Sequence, residues 1–177
     1  MFPFFRNTLE FYPDEFTIKN PKFGRTLESI LYRVKDELCI SCDPNVALQK
    51  LVICGKGSQY EPSPGEGEFA TLIVQLPSLF TGNNLTIRHG NETKTIEFDR
   101  KESQCEILYS AFYPNCKYEM TPIEFGYRTF LVYRLMKNDS TEPIKHFKES
   151  TQRKQDIASS LSKVCFNFQS YYKSSWI

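Results

Sequence analysis

The sequence predicts a mainly β fold, an antiparallel sandwich or jelly roll with one helix packed on its outside. Three observations favour this class. A single amphipathic helical stretch comes first, and a series of short strand-like segments rich in Val, Ile, Leu, Phe and Tyr follows it. Gly, Asn and Pro separate those segments. At 177 residues, 40% of them hydrophobic, the chain can bury the core of one domain.

An apolar stripe at helical spacing defines the predicted helix, which covers Arg25 to Leu38. The members of the stripe are Leu27, Ile30, Leu31, Val34 and Leu38. Pro21 and Gly24 lie before the helix, and Asp43-Pro44-Asn45 breaks the chain after it. Because a lone helix cannot bury such a stripe, we expect it to pack on a sheet.

Seven strands are predicted after the helix. They are Ala47–Cys54, Phe69–Leu76, Asn84–Arg88, Thr93–Phe98, Cys105–Phe112, Lys117–Ile123 and Tyr127–Leu135. His89-Gly90-Asn91 predicts a hairpin, whereas Thr81-Gly82-Asn83 and Glu124-Phe125-Gly126 predict turns. The irregular stretch Gly55–Gly67 predicts a loop at the mouth of the barrel.

The tail, residues 137–177, differs from the rest in composition. Its first part is polar and charged, Ser150–Lys163 favours a helix, and an aromatic cluster fills the last dozen residues. We expect this cluster to dock back on the domain; the alternative is a peptide that binds a partner. The barrel mouth or this tail is therefore the expected surface for a protein partner.

Composition excludes several partners and favours a reducing compartment. The net charge of +1 gives no reason to expect nucleic acid or an anionic membrane surface. No apolar run approaches the 18 residues of a membrane-spanning helix, and the N-terminus is a poor signal peptide. Six cysteines without an export signal favour a cytoplasmic or nuclear protein. The single C-x-x-C, Cys39 and Cys42, lacks the second pair of a structural zinc site.

Two segments carry a family resemblance: EFATLIVQLPSLFTGNNLTIRHGNETKTIEF (68–98) and AFYPNCKYEMTPIEFGYRTFLVYRL (111–135). Together they resemble the 2-oxoglutarate/Fe(II)-dependent dioxygenase family, in particular its prolyl-4-hydroxylase-like domain. The resemblance covers roughly residues 14–136. It implies a double-stranded β-helix within residues 1–136, with its core at 47–136, and Fe(II) and 2-oxoglutarate as cofactors. Residues 137–177 are then a C-terminal extension.

The metal ligands that the resemblance implies are not found. An H-x-D motif after the first core strand falls on Gln59, Tyr60 and Glu61, or in a second alignment on Ser63, Pro64 and Gly65. The distal histidine position falls on Tyr118. An amide, a phenol and one carboxylate are a poor set for ferrous iron, which prefers two imidazoles and a carboxylate. The two histidines, His89 in the hairpin and His146 in the tail, are expected to lie elsewhere and face solvent.

One part of the cosubstrate site does match the family. Arg128, in G-Y-R-T-F-L-V-Y, lies where the resemblance implies the basic residue that pairs with the far carboxylate of 2-oxoglutarate. Arg128 is therefore the predicted cofactor-binding residue. Two alternatives stay open, in which Arg128 pairs with a resident acid such as Glu61 or faces solvent. The tyrosine that usually helps hold the cosubstrate corresponds to Cys54.

Two functional hypotheses follow from these residues. The first is a non-catalytic relative of the dioxygenases, a pseudoenzyme that serves as a binding or regulatory module and binds no cofactor tightly. The second is a working prolyl-hydroxylase-like oxygenase with an atypical metal site. Bound iron separates them, because only the second needs it.

Overall fold

The computed structural model describes residues 7–61, 63, 65, 67–89, 92–99, 101–114, 117–137 and 170–172. One α-helix and ten β-strands lie within these residues. In chain order they are β1 (Thr8–Phe11), α1 (Phe23–Glu37), β2 (Asn45–Gly55), β3 (Glu68–Gln75), β4 (Phe80–Gly82), β5 (Leu85–His89), β6 (Glu92–Ile96), β7 (Ile107–Phe112), β8 (Lys117–Met120), β9 (Ile123–Met136) and β10 (Ser170–Tyr172). No helix in this described part has the length and apolar composition needed to cross a membrane.

Helix α1 confirms the predicted helix to within two residues at either end. Its buried side chains, among them Ile30 and Val34, recur at helical spacing and form one face. The helix ends because Cys39 adopts a left-handed conformation with φ of 52°. Around Cys39, the amides of Cys39 and Ile40 donate to the carbonyls of Asp36 and Lys35, at 3.1 and 2.8 Å.

Most strands join one large antiparallel sheet in the order β1-β2-β9-β3-β7-β10. Strand β9 is the centre of this sheet because it pairs with both β2 and β3 along its C-terminal half. The N-terminal half of β9 leaves that ladder and pairs with β4 instead. Strand β9 therefore spans the full height of the sheet.

The remaining three strands form a small antiparallel sheet in the order β6-β5-β8. Strands β5 and β6 pair up to His89 opposite Glu92, which confirms the hairpin predicted there. The turn predicted at Thr81-Gly82-Asn83 is confirmed in part. Thr81 and Gly82 belong to β4, and the chain turns at Gly82 and Asn83, which both have positive φ.

The turn predicted at Glu124-Phe125-Gly126 is wrong, because these residues lie inside β9. Gly126 has φ of 75°, and a Cβ there would lie 2.1 Å from the carbonyl oxygen of Leu79. The glycine therefore bends a continuous strand and admits a close neighbour. The predicted strand Lys117–Ile123 is divided between β8 and β9, and the short strands β1, β4 and β10 were not predicted. The predicted tail helix, 150–163, lies outside the described residues.

Two cores lie on the two faces of the large sheet. The inner core fills the space between the two sheets, where Phe130 and Val132 of β9 join Leu85 and Ile87 of β5. The outer core lies under α1, where the helix face packs on residues of β3, β7 and β9. Two antiparallel sheets around the inner core, with a helix packed on the outside of the larger sheet, agree with the predicted mainly β, jelly-roll-like class.

Candidate functional site

The candidate site is the inner face of the large sheet near the middle of β9. Arg128 lies opposite Cys54 of β2, and Phe130 lies opposite Gln75 of β3. Alternate residues of a strand point to the same face, so Arg128 and Phe130 both point into the inner core. The register of the sheet thus brings the predicted cofactor-binding arginine next to polar groups from two neighbouring strands.

Arg128 is completely buried, with 0% of its surface exposed. Its Nε donates to Oε1 of Gln75 at 2.9 Å, and its Nη1 donates to Oδ1 of Asn83. Among the described residues its hydrogen-bond partners are thus neutral amides, and Glu61 is not one of them. The two alternatives considered for Arg128, a pair with Glu61 and a solvent-facing side chain, are therefore both wrong.

Aromatic rings surround the Arg128 guanidinium. Its Cζ lies over the ring of Phe98 at 4.0 Å from the centroid and over that of Phe130 at 4.9 Å, with Phe80 further away at 5.8 Å. Ring faces attract a cation, so these contacts offset part of the cost of burying the charge.

Burial lowers the pKa of Arg128 to about 9, which is still above neutral. The side chain therefore carries its charge at pH 7 without a carboxylate partner among the described residues. Its neighbour Cys54 is also buried, and desolvation raises the pKa of that thiol. A neutral thiol beside the guanidinium gives no compensating charge.

Asn83 fixes the other end of this network. Its Nδ2 donates to the carbonyl of Thr121 at 2.8 Å, and its backbone amide donates to that of Pro122 at 3.2 Å. Asn83 sits in a left-handed conformation, with φ of 59°, which asparagine tolerates better than most residues. Through Asn83, Arg128 connects the turn after β4 to the turn before β9.

One hydrogen-bond donor of the buried Arg128 guanidinium has no partner in the described part of the chain. Nη2 of Arg128 is inaccessible to solvent and has no hydrogen-bond partner among the described residues. Buried donors are nearly always satisfied, and an unsatisfied one marks a strain, a bound water or a ligand. A carboxylate matches it chemically, because a guanidinium offers several donors in one plane to such a group. The chemistry of Arg128 is thus compatible with the cosubstrate carboxylate.

The positions implied for the H-x-D motif do not point toward a common centre. Tyr60, the middle residue, is 4% exposed and packs its ring edge-on against Phe130 at 5.0 Å between centroids. Gln59 and Glu61 on either side of it are exposed. In the second alignment Gly65 has no side chain, and Ser63 supplies only a hydroxyl. This loop therefore contributes the buried ring of Tyr60 to the inner core.

Tyr118, at the distal histidine position, lies on β8 opposite Ile87 of β5. Its ring contacts that of Phe112 at 5.2 Å. Burial raises the pKa of the Tyr118 phenol, and the charges of Glu61 and Glu68 raise it further. A phenol binds a metal after losing its proton, and these surroundings favour the protonated form.

These residues do not fit a ferrous ion. The donors would be an exposed amide, an exposed carboxylate and a protonated phenol, none of which replaces an imidazole. Across the described residues, no three His, Cys, Asp or Glu side chains come close enough to hold a metal ion. His89 ends β5 at the hairpin, with its backbone opposite Glu92, and His146 lies outside the described residues.

Sequence reasoning missed a second polar network at the start of β3. The Glu68 side chain is 1% exposed. Its Oε2 accepts from Nε of Arg134 at 3.2 Å and from the amide of Gly65 at 2.8 Å, and its Oε1 accepts from the hydroxyl of Thr71. The only sequence signal was strand alternation, which puts Thr71 on the inner face with Ile73. The network holds the end of the Gly55–Gly67 loop against β9.

Comparison with known proteins gives similarity to solved structures and no sequence match. No family model and no curated protein matches the chain. A solved structure that is similar to it is an oxidoreductase of the 2OG-Fe(II) oxygenase family from Burkholderia pseudomallei, with 12% identity and a TM-score of 0.44. The similarity covers 70% of this chain and 62% of that one, so this chain spans less than two thirds of that protein. It assigns neither an activity nor a ligand to this chain.

Proposed function

We propose that this protein is a non-catalytic binding module built on a double-stranded β-helix of the 2-oxoglutarate oxygenase type. The observation that carries the proposal is the position of Tyr60. In the first alignment of the H-x-D motif, this chain buries an aromatic ring against Phe130 and leaves Gln59 and Glu61 exposed. In the second alignment, its positions offer only the Ser63 hydroxyl and a glycine, Gly65. In either alignment, iron bound there would have no imidazole ligand.

We further propose that Arg128 lets the module take a carboxylate. The unpaired Nη2 supports this, because a carboxylate there would compensate a buried positive charge. Without iron, 2-oxoglutarate would use only its far carboxylate and lose the contribution of its keto-acid end. The module should then not distinguish 2-oxoglutarate from glutarate, the five-carbon dicarboxylate that lacks the keto oxygen.

Calorimetric titration with these two dicarboxylates, with and without anaerobic Fe(II), tests both parts. We expect weak and equal binding of 2-oxoglutarate and glutarate, unchanged by iron. If Fe(II) strengthens 2-oxoglutarate binding tenfold or more and leaves glutarate unaffected, the protein holds a metal and the oxygenase alternative is correct. If neither dicarboxylate binds, the carboxylate part of the proposal fails, while the non-catalytic part still depends on the iron titration.

An Asn83→Asp variant is the matched probe for Arg128. It places a carboxylate beside Nη1 with almost no change in shape, so the charge of Arg128 is already compensated. It also removes the Nδ2 donor to the Thr121 carbonyl, so thermal unfolding is measured first to show that the variant is folded. We expect this variant to fold and to bind both dicarboxylates at least tenfold more weakly than the unmodified chain. Unchanged binding would mean that the carboxylate site lies elsewhere.

A further inference from the structure

Strand β1 forms one outer edge of the large sheet. Among the described residues it pairs only with β2, which lies on its inner side. Leu9, in the middle of the strand, is 59% exposed, and Glu10 beside it is also exposed. Tyr12, which follows the strand, is 56% exposed. Solvent therefore reaches this edge of the sheet.

The backbone groups that point outward from this edge belong to Thr8 and Glu10. The amide of Gly55 donates to the carbonyl of Asn7 at 2.7 Å, so Asn7 directs its backbone groups toward β2. Alternate residues of an antiparallel strand bond on the same side, so Leu9 does the same, and Thr8 and Glu10 face the open edge. Within the described part of the chain, those outward groups have no backbone partner. They are a template for another strand.

The charge on β1 does not protect this edge. A charged side chain on an edge strand usually discourages pairing with other chains. Here the Glu10 carboxylate already binds Nζ of Lys50 on β2, at 2.9 Å. Leu9 lies on the other face of the sheet, beside Ile53 of β2. An added strand would therefore meet an exposed leucine on one face and a neutralised carboxylate on the other.

A second copy of β1 is complementary to this edge. In an antiparallel pair centred on Leu9, the two leucines face each other, and Thr8 lies opposite Glu10 of the second copy. Thr8 and Glu10 are the residues with outward backbone groups, so these groups satisfy one another. A pair centred on Glu10 would place two carboxylates opposite each other. It would also need the amide of Tyr12, which already donates to Oε2 of Glu15 at 2.7 Å.

We infer that β1 is a self-association surface, at which two copies of this chain pair antiparallel about Leu9 and join their large sheets across a twofold axis. Each copy contributes the same strand, as a closed twofold dimer requires. A strand of four residues buries much less than the ~800 Å² per partner of stable complexes, so the dimer is weak, with a Kd near ~100 µM. The surface is separate from Arg128 and does not depend on the proposed function.

Sedimentation velocity of the full chain, from about 5 to 500 µM, measures this association. We expect the average mass to rise toward twice that of one chain. Thr8→Pro removes an amide that faces the open edge, whereas Thr8→Ala keeps the amide and is the matched control, since both lose the hydroxyl that contacts Cys54. The proline variant should associate at least about tenfold more weakly, and the alanine variant should change by less than about threefold. A chain that stays monomeric at about 500 µM would overturn the proposal, as would equal association of the two variants.

Charges at Leu9 test the register, and the exposed position of this side chain lets both variants fold. Leu9→Lys and Leu9→Glu each place like charges opposite each other, so each variant alone should stay monomeric over the same range. An equimolar mixture places opposite charges together and should restore association to within about tenfold of the unmodified chain. Pairing about Leu9 is refuted if the mixture stays monomeric, or if either variant alone associates as strongly as the unmodified chain.

Discussion

Glu68→Gln is expected to lower the free energy of unfolding by about 3 kcal/mol. Glu68 is a buried carboxylate that accepts hydrogen bonds from Arg134, Gly65 and Thr71. Replacing an ionised acceptor by an amide weakens each of these three bonds by roughly 1 kcal/mol, the difference between charged and neutral hydrogen bonds. The new NH₂ group can replace Oε1, where the Thr71 hydroxyl turns to accept from it, so all three hydrogen bonds remain, with an uncharged side chain.

The matched control is Glu10→Gln, which changes the same kind of side chain in an accessible ion pair. Glu10 lies 2.9 Å from Nζ of Lys50, and the two side chains are 37% and 24% exposed. Pairs of this kind contribute less than about 1 kcal/mol, so we expect a small effect. Urea unfolding at pH 7, followed by far-ultraviolet circular dichroism, measures both variants, with the slope of the transition as a check on two-state behaviour.

Salt separates the two pairs further. Raising NaCl to about 1 M should reduce the effect of Glu10→Gln and leave that of Glu68→Gln almost unchanged, because screening acts on accessible charges. If Glu68→Gln costs no more than Glu10→Gln, the carboxylate does not hold the loop against β9. The assignment of Glu68 as the organising group at Gly65 would then be wrong.

Three further changes have expected outcomes. Cys39→Gly should stabilise the chain by about 1 kcal/mol in urea unfolding, because φ of 52° favours glycine, whereas Cys39→Ala keeps the Cβ and should not. Gly126→Ala should lower the free energy of unfolding by about 3 kcal/mol or more, because the new Cβ would lie 2.1 Å from the carbonyl oxygen of Leu79. Gly57→Ala should lower it by only about 1 kcal/mol, because Gly57 has φ of 81° but open space around it. Burial raises the pKa of Tyr133 from 10.0 to about 12, so the unfolded chain loses this proton first and stability falls between pH 10 and 12. Tyr133→Phe should remove about 2–3 kcal/mol of that fall, measured against the unmodified chain across the same pH range.

The positions of helices and strands were predictable where the local sequence pattern matches the packing of the element in the fold. The stripe around Ile30 and Val34 has only one way to be buried, so α1 was predicted almost to its ends. Strand β3 combines apolar content with a β-branched sequence, and its bounds were predicted to within one residue. In both elements the buried face is set by residues a few positions apart.

The errors arose where a distant partner decides the local conformation. Gly126 was interpreted as the end of a turn, since glycine after Glu124-Phe125 is typical of one. Its actual role is to let the carbonyl of Leu79 approach, and only the pairing of β4 with β9 reveals that role. Strand β4 was missed because three residues cannot show a period.

The site was predicted in its position but not in its surroundings. Arg128 lies on the inner face, as its position in the resemblance implied, whereas the residues alone had left a solvent-facing side chain open. Its partners, Gln75 and Asn83, come from chain segments far away in sequence, and the sequence held no signal for their approach. A guanidinium paired with amides was accordingly not among the alternatives, which considered an acid or solvent.

The metal positions and Arg128 differ in what the fold requires of them. Gln59 and Glu61 are exposed and have no part in packing, so many residue types can stand there at little cost in stability. Arg128 satisfies buried amide oxygens of Gln75 and Asn83, which would lose their partner without it. An arginine at this position is therefore explained by packing whether or not a ligand binds. The case for a non-catalytic module consequently rests on the donors around Tyr60 and Tyr118, and the arginine adds only the carboxylate that the dicarboxylate titration tests.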